Sequence, residues 1–141
     1  MADVHTPAVR SYNMSQIRSK NTKPELLVRK YLFNHGFRYR VHRKDLPGNP
    51  DIVLPKYKTV IFVNGCFWHG HDQCKYFIIP KTNTEWWMNK INRNIHLDTE
   101  NIKKLQARDW NVITIFGCQL KKKNIDNTMI NLIENLKNLI K

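Results

Sequence analysis

The chain has 141 residues, 41% of them hydrophobic and 25% charged, and its 24 Lys and Arg outweigh 11 Asp and Glu to leave a formal charge of +13. That length and balance exclude wholesale disorder and suit one domain that can bury a core without disulfides. So large an excess of positive charge points to a polyanion, nucleic acid above all, because it steers association and releases counterions. A merely solubilising surface is the plainer account of the same charge. An anionic membrane fits less well, since no stretch is both strongly basic and amphipathic. The longest apolar run, Val60-Ile61-Phe62-Val63, is far too short to cross a bilayer, and Met1 to Ser11 has no signal-peptide core. The expected location is therefore cytoplasmic. Three cysteines, an odd number, argue against a disulfide framework and for reduced or metal-bound thiols.

Residues 1–20 read as a flexible basic arm carrying Arg10, Arg18 and Lys20, and residues 21–141 as a single domain. Thr22-Lys23-Pro24-Glu25 has the chemistry of a helix start, with a Thr cap, Pro in the first turn and Glu three residues after the cap. Leu27, Val28, Tyr31 and Leu32 give that helix an apolar face, and Gly36 ends it. The alternation of Phe37, Tyr39 and Val41 predicts a half-buried strand over Phe37–His42. Leu46 to Pro50 is a turn. Asp51–Leu54 and Thr59–Val63 then form a hairpin, the second strand apolar enough to be central. From Asn64 to Thr84 there is no period, only a density of Cys, His and aromatic residues that suggests a site. A helix follows from about Glu85 to Arg108, with Trp87, Ile91, Ile95, Ile102 and Leu105 on one side. A core strand over Val112–Phe116 precedes a last amphipathic helix bearing Ile125, Met129, Leu132, Ile133, Leu136 and Ile140. The order α-β-β-β-α-β-α predicts one α/β domain with a mixed sheet flanked by helices.

Two constellations carry chemistry. Cys66, His71 and Cys74 lie as C-x4-H-x2-C, and Cys118 follows the last strand. Three thiolates and an imidazole are what tetrahedral Zn²⁺ takes in a closed structural site, with no position left for water. Three ordinary cysteines and a surface His remain the plainer reading. Separately, Asp51 opens one hairpin strand while the next ends at Val63-Asn64. The Asp51 carboxylate and the Val63 backbone carbonyl could share a hard cation such as Mg²⁺. His69, beside them, could move a proton to or from water or phosphate. Taken alone, Asp51 also fits a strand-edge residue and His69 a structural one.

The segments Leu46-Pro47-Gly48-Asn49-Pro50-Asp51 and Val60-Ile61-Phe62-Val63-Asn64-Gly65-Cys66-Phe67-Trp68-His69-Gly70-His71 resemble the signature of the very-short-patch repair (Vsr) endonucleases. So do Met14 to Thr22, Pro24-Glu25 and Thr82-Asn83-Thr84-Glu85-Trp86-Trp87. The resemblance runs in order from about residue 11 to 120. It implies a restriction-endonuclease-like core and a Mg²⁺-dependent nick of double-stranded DNA, on the 5′ side of the T in a T:G mispair left by deaminated 5-methylcytosine. It also implies Asp51 as a Mg²⁺ ligand, His69 as an aid to the attacking water, and Cys66, His71, Cys74 and Cys118 as zinc ligands. By the same resemblance Glu25 lies near the metal, although it also completes a capping box with Thr22. Phe67, Trp68 and Trp87 would wedge into the duplex, where a wobble pair stacks poorly and unstacking costs least. Trp87 also has helical spacing with Ile91, which is a core pattern. Lys103-Lys104 and Lys121-Lys122-Lys123 suit phosphates, as solvated charge runs also do.

The sequence departs from the family in two places. Val63-Asn64 stands where the best-known members have Thr-His, so Asn64 cannot act as a base and is expected to orient water or phosphate. Phe116-Gly117-Cys118 replaces a Trp-Glu-Cys and removes a carboxylate. The expectation is a monomeric nuclease whose partners include mismatch-repair proteins, a repair polymerase and a cytosine methyltransferase. Its rivals are a zinc-containing protein that binds distorted DNA without cutting, and an accessory nuclease of a restriction-modification system.

Overall fold

The structure is a computed structural model that describes residues 22–41 and 43–139. The basic arm, the Met14–Asn21 motif, His42 and Ile140 lie outside the described residues. Helix α1 spans Lys23–Asn34, and its Thr22 cap accepts the Glu25 N–H at 3.4 Å. Pro24 in the first turn costs nothing there because its missing N–H would have no helical partner. The chain leaves the helix through Gly36, whose φ of +86° a side chain would resist. Val28 and Leu32 are fully buried, while Leu27 of the expected apolar face is largely turned outward.

The strand expected over Phe37–His42 is shorter than its alternation suggests. Among the described residues only Arg40–Val41 pair as β1, because Phe37 leaves the strand path to pack on the Tyr57 ring within the core. Strands β2 (Ile52–Leu54) and β3 (Thr59–Asn64) form the expected hairpin through a 3-10 turn at Pro55–Tyr57. Helix α2 covers Thr84–Ala107, β4 Asn111–Phe116, a 3-10 turn Gly117–Leu120 and helix α3 Ile125–Leu139. The sheet order is β1-β2-β3-β4, antiparallel except for the parallel pair β3–β4. Among the described residues the mixed sheet and three helices agree with the element order read from the sequence.

Strand alternation splits the core into two layers. Ile52, Leu54, Ile61 and Ile115 meet Val28 and Leu32 of α1 and Met129, Leu132, Ile133 and Leu136 of α3. On the opposite face Val53 and Val60 meet Leu105 and Trp110 at the end of α2. The sheet is thus covered on both sides, which explains why β2 and β3 are almost wholly apolar. No helix among the described residues is long and apolar enough to cross a membrane.

Leu136 is fully buried among these residues. Leu136→Ala is expected to lower unfolding stability by about 2–5 kcal/mol, read from urea denaturation, because a cavity forms where α3 meets the sheet.

Candidate active site and metal centre

Both candidate sites grow from the ends of β2, β3 and β4. Continuing the β2–β3 register by two residues sets Val63 opposite Pro50. Proline has no N–H to give back, so the ladder stops and the Asp51 carboxylate takes its place, accepting the Val63 N–H at 2.7 Å. In an antiparallel ladder the N–H and C=O of one residue face the same edge. The Val63 carbonyl therefore lies on the Asp51 edge, opposite a residue that cannot donate to it. Asp51 opens into a cleft of about 320 Å³ whose wall includes Lys44, Phe62, Val63, Asn64, His69, Asp98, Asn101 and Thr114.

Burial, and next the facing Glu25 carboxyl, push Asp51 from 3.8 up to about 7, against the pull of the Val63 N–H and of Arg29. Glu25 comes from α1 on the other side of the sheet. It is only 1% exposed and pairs with Arg29 at 2.6 Å. The structure gives the Thr22 half of the capping box, with the Glu25 N–H on Thr22 Oγ1, while the Glu25 carboxyl pairs with Arg29 and is felt by Asp51. The Asp51 carboxyl, the Val63 carbonyl and a polar cleft offer hard oxygen donors of the kind Mg²⁺ takes.

His69 faces the same cleft. Its Nδ1 donates to Asp98 Oδ2 at 2.6 Å, which fixes the ring and leaves Nε2 as the nitrogen able to take a proton. Sequence reasoning passes over Asp98, although its position carries a signal. It sits seven residues after Ile91 and four before Ile102, an acid within the apolar stripe of α2. Asn94, on the same stripe, donates to the Trp68 carbonyl at 2.8 Å and holds the loop to the helix. Gly70 permits the closeness: its φ is +57°, and a Cβ would lie 2.6 Å from Ile95 Cδ1.

Cys66, His71, Cys74 and Cys118 come together as their spacing predicts, with one ligand atom from each lying within 4.8 Å of the others. The Cys118 N–H points at Cys66 Sγ (3.3 Å), and Cys118 Sγ lies 3.4 Å from His71 Nδ1. The His71 ring stacks on Phe116 at 3.9 Å, nearly parallel. Burial, followed by the crowding sulfurs of Cys66 and Cys74, pushes the Cys118 thiol up to about 12. Without a cation the thiolates repel one another, so the donor set suits a metal ion, and its chemistry is that of a closed tetrahedral site.

Between the two sites, Phe67, Trp68 and Trp87 form one aromatic group. Phe67 meets Trp68 and Trp87 edge-on at 5.3 Å each, and Trp68 lies 5.7 Å from Trp87. Trp87 turns inward and Trp86 is 58% exposed, which resolves which of the two faces the loop. Lys75 and Lys121 flank the Tyr76 ring at 5.2 Å. Lys103, Lys104 and Lys121–Lys123 are all exposed.

Residues 2–75 match the family model described as DNA mismatch endonuclease Vsr. The Type II nicking enzyme V.NmeAIP of Neisseria meningitidis serogroup A / serotype 4A is 47% identical over 141 residues, spanning 99% of this chain and 100% of that protein. The chain belongs to the Vsr family of DNA endonucleases. The DNA mismatch endonuclease Vsr of Escherichia coli (strain K12) is 42% identical over 121 residues, 86% of this chain and 77% of its own length. The Type II nicking enzyme V.XorIIP of Xanthomonas oryzae pv. oryzae is 47% identical over 120 residues, 85% and 88% of the two chains.

The raised carboxyl has a stability consequence of definite sign. Native Asp51 keeps its proton up to about pH 7, where the unfolded chain, with its ordinary value of 3.8, has already lost it. The native state binds the extra proton, so this contribution is full below the unfolded value and is lost as pH rises through 7. Between about pH 6 and 8, without magnesium, the wild type should lose stability relative to Asp51→Asn by an amount on the order of 1 kcal/mol. Melting temperatures of the two proteins across that range check it; parallel profiles would refute it.

Proposed function

We propose that this chain is a Mg²⁺-dependent endonuclease that nicks one strand of double-stranded DNA on the 5′ side of the T in a T:G mispair. The observation that carries the reading is the convergence on one cleft of Asp51, the Val63 backbone and the His69–Asp98 pair, in a chain of this family. Residues 21–141 would form the endonuclease domain, on a restriction-endonuclease-like core, with residues 1–20 as a basic arm toward the phosphates. The chain would act as a cytoplasmic monomer. Deaminated 5-methylcytosine is the lesion such an enzyme would serve, beside a cytosine methyltransferase, mismatch-repair proteins and a repair polymerase.

Asp51 and the Val63 carbonyl would hold the Mg²⁺, with Glu25 behind Asp51. When bound, Mg²⁺ supplies positive charge to the scissile phosphate and lowers the pKa of water. His69, oriented by Asp98, takes the proton of the attacking water at Nε2. Asn64, on the wall of the cleft, orients that water or the phosphate through hydrogen bonds. Phe67, Trp68 and Trp87 enter the duplex beside the mispair, where stacking is already weak, and the bent helix then meets the lysines of this face. Cys66, His71, Cys74 and Cys118 hold a structural Zn²⁺ that fixes the loop carrying both the wedge and His69.

A second reading keeps the nick and changes the target. Several relatives are named Type II nicking enzymes, which favours an accessory nuclease of a restriction-modification system with another site preference. A binding protein without activity is less well supported, since Asp51 and an oriented His69 share the cleft.

The test is strand nicking of a labelled duplex with one T:G pair against its T:A counterpart, with Mg²⁺ and with none. The expected result is a cut in the T:G duplex alone, dependent on Mg²⁺ and lowered by at least about 100-fold in Asp51→Ala. Equal cutting of both duplexes would discard the mismatch, and tight binding without cutting would favour the binding protein. Elemental analysis of protein purified without added metal should find about one zinc per chain, and Cys118→Ser should lose it together with thermal stability. Full folding without zinc would remove the structural metal from the reading.

A further inference from the structure

Two short turns leave the Cys/His cluster and meet. In the first, the Phe77 N–H donates to the Cys74 carbonyl at 3.0 Å, which puts Lys75 and Tyr76 at the two central positions. In the second, the Lys121 N–H donates to the Cys118 carbonyl at 3.4 Å and closes the 3-10 turn. Cys74 and Cys118 belong to one cluster, so side chains from the two turns come together. The Lys75 and Lys121 ammonium groups each lie 5.2 Å from the centre of the Tyr76 ring. The two cations can be no further apart than twice that distance, on the order of one Debye length at ordinary salt, so each feels the other. Attraction to the ring holds them there against their repulsion. Among the described residues neither pairs with a carboxylate. The ring is 43% exposed, and the place is open to an anion from solvent.

We propose that Lys75, Tyr76 and Lys121 form a clamp for one phosphodiester of the DNA backbone, beside the aromatic group. Phe77, the residue after Tyr76, meets Phe67 edge-on at 6.4 Å, so the clamp is continuous with the rings assigned to the wedge. The proposal rests on DNA as the partner, but on neither the nick nor the mispair. A phosphate carries no sequence, so the clamp fixes where the duplex lies against the wedge and adds equally to binding of matched and mispaired DNA. It differs from a run of solvated charge in that both lysines serve one phosphate, and the ring orders them before DNA arrives.

Fluorescence anisotropy of a labelled duplex without Mg²⁺, repeated across about 50 to 200 mM KCl, gives the slope of log affinity on log salt, which counts neutralised phosphates at about 0.9 each. The double variant Lys75→Gln with Lys121→Gln should lose about 0.9 from that slope, on a T:G duplex and its T:A counterpart alike. Tyr76→Leu, which keeps the bulk and removes the ring, should bind about two- to fivefold more weakly, while Tyr76→Phe should match the wild type. Lys56→Gln, in the hairpin turn at the opposite end of the sheet, controls for overall charge and should leave the slope unchanged. An unaltered slope in the double variant, a loss near about 1.8, or an equal loss in Lys56→Gln would overturn the clamp, the second by giving each lysine its own phosphate. Wild-type affinity in Tyr76→Leu would overturn it too. A wild type that binds neither duplex would sink the nuclease reading together with the clamp; if the wild type binds and any of those results is found, the clamp falls alone.

Discussion

The parallel register of β3 and β4 is the constraint on which both sites depend. Asn64 lies beside Phe116, and the two strands run in the same direction. Whatever follows each strand by an equal number of residues must emerge at nearly the same place. Cys66 is two residues past Asn64 and Cys118 two past Phe116, so two of the four candidate metal ligands are matched across a gap of fifty-two residues of chain. The same pairing fixes the end of β3, and with it Val63 and the Asp51 carboxyl that takes its N–H. A slip of one residue would turn Asn64 to the other face and separate the cysteines. The apolar faces of β3, packed on α1 and α3 on one side and on α2 on the other, resist such a slip.

Much of this is legible in residue order. Periodicity locates the helices and the central strands, because burial on one face or on two leaves a direct trace in the chain. The Cys and His spacing picks out three members of the cluster, and the position of Cys118 after a strand suggests the fourth. The turn chemistry of Leu46 to Pro50 places Asp51 at the mouth of a hairpin. Strand β1 is overestimated because alternation does not say whether a partner is present: Phe37 obeys the pattern but is buried in the core before pairing begins.

What stays hidden are partners brought in across the fold. Asp98 is an acid on an inward stripe, and only the approach of His69 from a distant loop gives it a purpose. Glu25 and Arg29 read as an ordinary pair four residues apart on a helix. Their burial, and the nearness of Asp51, are what set the pair apart. Propensity and spacing describe neighbours along the chain; the electrostatics of a site is decided by neighbours across it.

The stretch from Cys66 to His71 has one more property. Only Phe67, Trp68, His69 and Gly70 lie between those two residues, and each is engaged by something beyond the loop: an aromatic neighbour, the Asn94 amide, the Asp98 carboxylate, the side chains of Ile91 and Ile95. There is no spare residue in it. Among related sequences the length of this interval should therefore be far more rigid than that of the stretch from Ile78 to Thr82, where insertions and deletions can accumulate without moving the Cys/His cluster or His69.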